Sequence, residues 1–75
     1  MTLSELGAKL HDMYFNSNDG EAVAMIHLFG IKYANEIKNS NESMKAIAKA
    51  ANINESYATE ISKGVKLSKF VIPKT

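Results

Sequence analysis

Residues 44–64, MKAIAKAANINESYATEISKG, decide how this chain folds. Met44, Ile47, Ala48 and Ala51 recur at i, i+3, i+4 and i+7, which collects them on one face of a helix, while Lys45 and Lys49 project away. A first helix is expected to end near Ala51. Asn52 takes the left-handed conformation of a sharp helix exit at less cost than most non-glycine residues, and Ile53 then plugs the angle to the next helix. Asn54 is a good N-cap, Glu55 places negative charge at the positive end of the second helix, and Lys63 with Gly64 supplies a last turn and an exit. The second helix is therefore expected over about residues 55–63, with Ala58 and Ile61 inward. Ala48 facing Ala58 lets the two axes approach closely.

This stretch resembles the helix-turn-helix of bacterial repressors and related DNA-binding proteins. The matching positions are Ile47 and Ala48 in the first helix, Ala51 before the turn, Ile53 after it, and Ala58 and Ile61 in the second helix. It departs where a glycine usually opens the turn, since Asn52 stands there, and where a larger aliphatic is usual at Ala58; neither departure breaks the geometry. The match covers about 21 of 75 residues and consists mostly of packing positions. The phrases MIHLFGIKYANEI and SYATEISKGVKL make the whole chain similar to small uncharacterised bacterial proteins described as helix-turn-helix-like. That resemblance implies a fold and no demonstrated activity.

At 75 residues the chain reads as one domain, near the lower size at which a single core suffices, and it has no cysteine for a disulfide or a thiolate metal site. Hydrophobic content of 45% at helical spacing argues for a folded domain, and so small a core makes oligomerisation an attractive source of further burial. No basic segment followed by an apolar run opens the chain, and no stretch approaches the roughly 18 apolar residues that span a bilayer, so a cytoplasmic protein is expected. The net charge is only +1, but its distribution is uneven. Residues 1–40 hold three lysines against five acids, and residues 41–75 hold six lysines against three. The basic half is the one with the two-helix motif, the half that would meet phosphates. All nine cations are lysine, which favours backbone attraction over bidentate reading of bases.

Thr2 and Glu5 form a capping box ahead of an amphipathic helix whose inner face is Leu3, Leu6, Leu10, Met13 and Tyr14, ending about Phe15. Residues 16–20 read as a loop with Asp19 as the next N-cap, and a second helix starts near Gly20. Residues 22–29 are apolar nearly all round, as in a buried element. Gly30 is read as a break, although Val23, Ile26, Gly30, Tyr33 and Ile37 also suit one continuous helix with a close contact at the glycine. The reason is an internal echo. Tyr33-Ala34-Asn35-Glu36-Ile37 matches Tyr57-Ala58-Thr59-Glu60-Ile61, and Met25, Phe29 and Ile31 stand where Ile47, Ala51 and Ile53 stand if the first turn is two residues shorter. Either the chain holds two related units, or residues common in helices coincide. Residues 39–43 are turn-forming, with Asn39 or Asn41 capping the following helix. Residues 65–72 are β-prone and end at Pro73, so they are expected to be extended. Such a segment either pairs with a second molecule, giving a homodimer, or lays Leu67, Phe70 and Ile72 across its own core. The fold class expected is all-α: a compact bundle of four to five short helices containing a helix-turn-helix, with an extended C-terminal segment.

If the second helix of the motif enters a major groove, Asn54, Ser56, Thr59, Glu60 and Lys63 occupy its outer face, and Lys63, Lys66 and Lys69 reach phosphates, with Lys45 and Lys49 helping from the preceding helix. Glu55 and Glu60 oppose this unless one accepts from a cytosine or pairs with a lysine. His11 and His27 lack the clustering a zinc site needs, and His27 in an apolar helix reads as a partnered core residue. Tyr33 and Tyr57 read as structural more than base-stacking, and Met13, Met25 and Met44 as core filler. No nucleophile-base pair, phosphate-cradling glycine loop or cofactor motif stands out, so no catalysis, cofactor, metal or small-molecule ligand is expected. The sequence thus leaves two functions, a module for duplex DNA and a protein-interaction or dimerisation domain.

Overall fold

The protein is described by a computed structural model over residues 1–71, and these residues contain five α-helices, one short 3-10 turn and no strand. Helix α1 (Leu3–Phe15) starts as the capping box requires: the Glu5 backbone N–H donates to Thr2 Oγ1 at 3.1 Å, and the Thr2 N–H to Glu5 Oε1 at 2.9 Å. It buries Leu6, Gly7 and Leu10. At Gly7 the helix presses on α4 (Met44–Ala50) so closely that a Cβ there would lie 2.5 Å from the Ala50 Cβ.

Helix α2 (Ala22–Lys32) is the central element, burying Ile26, Phe29 and Gly30. Two expectations about its ends are corrected. Asp19 is not its cap: Glu21 occupies that position with no side-chain capping bond. Gly30 does not break it either, and the helix continues to Lys32 before Tyr33, at φ −110° and ψ 21°, separates it from α3 (Ala34–Ser40). Glycine lowers helix propensity, but here the missing side chain is what lets α5 (Ala58–Leu67) lie against α2, and tertiary packing overrides the local penalty.

The internal echo survives only in part. Tyr33 and Tyr57 each stand at the N-cap of a helix, Ala34 and Ala58 each open one, and Ile37 and Ile61 are each buried. The upstream halves are not equivalent, because Ile31 lies inside α2 where Ile53 lies in a turn, so the chain holds one helix-turn-helix and not two. Helix α3 ends at Asn41 with φ 59°, and α4 is capped by Ser43, whose Oγ accepts from the Ala46 N–H at 3.0 Å, in place of the expected Asn39 or Asn41.

The turn between α4 and α5 forms as its residues dictate. Asn52 is left-handed at φ 61°, its N–H donates to the Lys49 carbonyl at 3.0 Å, and the Ile53 N–H reaches back to the Ala48 carbonyl at 3.1 Å. These two bonds constitute a Schellman motif, in which the residue after the left-handed one packs on the end of the helix just closed. Ile53 is that residue and is 9% exposed. The Ser56 N–H donates to Asn54 Oδ1 at 2.9 Å, a 3-10 turn follows at Glu55–Tyr57, and α5 begins at Ala58.

Helix α5 runs past Gly64 to Leu67, so the expected exit at Gly64 and the expected extended backbone from Val65 are both corrected. Gly64 sits in the helix interior for the same reason as Gly30, and Val65 packs against the core. Ser68, Lys69 and Phe70 form turns on the helix end, with the Phe70 N–H donating to the Leu67 carbonyl at 2.9 Å. Leu67 and Phe70 face outward and do not cover the core; Ile72 and Pro73 lie outside the described residues.

Candidate nucleic-acid interface

The solvent face of α5 follows from its buried one. Ile61 and Gly64 are buried, and Val65 is packed on the core, so residues half a turn away point outward. Thr59, Lys63 and Lys66, spaced four and three apart, lie along that outward stripe and are all exposed. Asn54 and Ser56 are exposed where the chain enters the 3-10 turn, and Lys69 is exposed in the turn after α5. Lys45 and Lys49, one turn apart on α4, are exposed on a different helix. Lys63 and Lys66 are brought together around one shallow cleft of about 300 Å3 that they share with His27, Leu67 and Phe70.

Glu60 does not lie on the outer face. It turns toward α2, where His27 Nε2 donates to its Oε1 at 2.7 Å, and Lys63 Nζ donates to its Oε2 at 3.3 Å. The His27 hydrogen bond first, and the Lys63 bond second, hold the Glu60 carboxyl below its ordinary value of 4.5. Glu55 is likewise engaged, by Lys49 Nζ at 3.3 Å across the turn. Both acids that opposed a polyanion in the sequence reading are thus paired with cations of their own chain. Surface pairs of this kind add little stability, but they neutralise the negative charge nearest α5.

Two contacts invisible to periodicity hold the motif in place. His27 joins α2 to α5 across 33 residues, which gives the histidine in the apolar helix the partner expected of it. His11 Nδ1 donates to the Ala51 carbonyl at 2.8 Å across 40 residues, satisfying an acceptor at the end of α4 that the helix itself leaves open. Nothing local in the sequence signals either pairing. Tyr57 stacks edge-tilted on Tyr14 with ring centroids 5.6 Å apart, and Tyr33 on Phe29 at 5.3 Å, so both tyrosines are half-buried supports of the core.

A left-handed exit sealed by an isoleucine, a short capped lead-in and a second helix with one face in solvent are the parts of a helix-turn-helix. A family model described as an HTH-like domain matches residues 2–74. The chain belongs to that family. The match to the HTH-like domain family spans all five helices. No curated protein and no solved structure matches this HTH-like domain. Among its described residues no helix is long and apolar enough to cross a membrane, and no group of three or more metal-ligating side chains is gathered.

Proposed function

We propose that this HTH-like domain binds duplex DNA by laying the outward stripe of α5 in a major groove, with Thr59 and Ser56 toward base edges and Lys63, Lys66 and Lys69 on phosphates. The observation that carries this reading is the pairing of Glu60: the carboxylate that would oppose the polyanion is bonded to His27 on α2 and to Lys63, leaving Thr59 and Lys66 exposed on the open side with Lys63 beside them. Asn54 lies at the start of the 3-10 turn, Lys45 adds positive charge from α4, and Lys49 on the same helix offsets Glu55. With lysine as the only strong cation, affinity comes mainly from phosphates, so binding is steeply salt-dependent and modest per protomer. The role that fits is a regulator or an accessory DNA-targeting module.

Anisotropy of a labelled mixed-sequence duplex, titrated at about 50 mM and about 200 mM salt, tests this. Binding that weakens steeply with salt and disappears in a Lys63→Glu, Lys66→Glu double variant is expected. Absence of salt-dependent binding to any duplex overturns it.

A second reading, an interaction domain with no nucleic acid partner, is favoured by one observation. Leu67, Phe70 and Val71 are exposed at the end of α5, Phe70 by 81%. Self-association through this C-terminal end would make a homodimer, and light scattering of the full chain over a range of concentrations, beside Phe70→Ser, distinguishes that case.

A further inference from the structure

We infer that the cleft between α2 and the end of α5 is a docking site for an acidic segment of another protein that carries one large apolar side chain. The cleft holds about 300 Å3 and is lined by His27, Lys63, Lys66, Leu67 and Phe70. Its apolar part is Leu67 and Phe70, exposed by 41% and 81% and adjacent on the same cleft. Its charged lining side chains are Lys63 and Lys66, both exposed, and Lys69, exposed in the turn after α5, adds a further positive charge three residues on. Among the described residues no acidic side chain lines it; Glu60, bonded to His27 and Lys63 at its edge, offsets the charge of Lys63, and Lys66 takes part in no ion pair there.

Charge decides between occupants. A second copy of this chain docked by the same surface would bring Lys63, Lys66 and Lys69 of both molecules together, since a two-fold interface meets itself. An acidic segment meets the same lysines with opposite charge while its apolar side chain takes the place of water against Phe70 and Leu67. The inference does not depend on DNA binding, although Lys63 and Lys66 serve both, so an acidic segment in the cleft competes with a duplex on α5.

The test uses the full chain without DNA and a fluorescein-labelled peptide, Glu-Asp-Glu-Phe-Glu-Asp-Ser-Glu, with the same peptide carrying Ser for Phe as its control. Anisotropy should show binding of the first peptide at least about tenfold tighter than of the second, and backbone amide shifts should centre on residues 27, 63–67 and 70. Phe70→Ser and Lys66→Glu should each weaken it about tenfold or more. Phe15→Ser, at an apolar residue 54% exposed outside the cleft, should leave it unchanged. Both Phe70 and Phe15 are exposed enough that the variants fold, and amide spectra verify this. Equal binding of the two peptides, shifts centred elsewhere, or concentration-dependent shifts at Leu67 and Phe70 from a second copy of the chain would each overturn the inference. Because no DNA is present, a failure here leaves the DNA reading standing, and the reverse.

Discussion

Gly30 and Gly64 meet where α2 crosses α5, and a Cβ built on Gly30 would lie 2.8 Å from the Gly64 Cα and 2.6 Å from the Ile61 carbonyl oxygen. Backbone is in contact with backbone, so neither helix has a flexible side chain to move aside. This crossing sets the height of α5 above the core, and with it the exposure of Thr59, Lys63 and Lys66. It also brings His27 within reach of Glu60.

Replacing Gly64 with Ala pits two effects of opposite sign. Alanine improves helix propensity by about 1 kcal/mol. The added methyl, however, runs into the His27 carbonyl and the Gly30 Cα, and overpacking of this kind costs about 1–3 kcal/mol or more when only backbone can yield. Gly64→Ala is therefore expected to lower stability by up to about 2 kcal/mol net and the Tm by several degrees, read by thermal unfolding. A rise in Tm would mean that the two helices are farther apart than described.

Asn52 provides a second stability test, because its φ of 61° is a conformation that disfavours most side chains. Asn52→Ala should cost about 1 kcal/mol, and Asn52→Gly should lie within about 0.5 kcal/mol of the parent or above it. Urea midpoints with unchanged m values check the pair. Equal losses for both substitutions would show that the Asn52 side chain, and not its backbone, matters at the turn.

The motif was legible in the sequence because its determinants are local. Asn52, Ile53 and Asn54 each act within a few residues, and the spacing of Ile47, Ala48 and Ala51 is a property of one helix. Thr2 and Glu5 were legible for the same reason. Gly64 is ambiguous because a glycine at a helix crossing and a glycine at a helix end look alike along the chain, and only the partner helix distinguishes them, whereas Gly30 reads as a break on the strength of an internal echo whose upstream half the fold does not repeat. The end of α5 is hidden for another reason, since Val65 has strand-like propensity but inherits helix from the turn before it. The orientation of Glu60, which bears most on function, depends on His27 and left no trace in periodicity.

Glu60 should make stability depend on pH in a definite direction. Its folded-state carboxyl lies below the ordinary 4.5, through the His27 bond first and the Lys63 bond second, so the unfolded chain binds more protons in the acid range. The contribution is fully present above pH 4.5 and is lost as pH falls through the lower folded value. Urea midpoints of the parent and Glu60→Gln should therefore differ at about pH 6 and converge at about pH 2 to 3. Glu5, lowered by its bonds to Thr2, acts with the same sign and is removed independently by Glu5→Gln. A gap between parent and Glu60→Gln that widens on acidification would contradict the His27 pairing.

Lys66 and Thr59 share the outward face of α5 but should affect DNA binding differently. A lysine on a phosphate contributes through counterion release, so Lys66→Ala should weaken every duplex alike and reduce the slope of log K against log salt by about 1. Thr59 carries no charge and leaves that slope intact. If it meets a base edge, Thr59→Ala changes the ranking of duplexes of different sequence, at about 1–3 kcal/mol for the preferred one. Anisotropy titrations over several salt concentrations and at least two duplexes separate these effects. An unchanged slope in Lys66→Ala would remove Lys66 from the phosphate contacts, although it is exposed on the solvent stripe of α5 and takes part in no ion pair among the described residues.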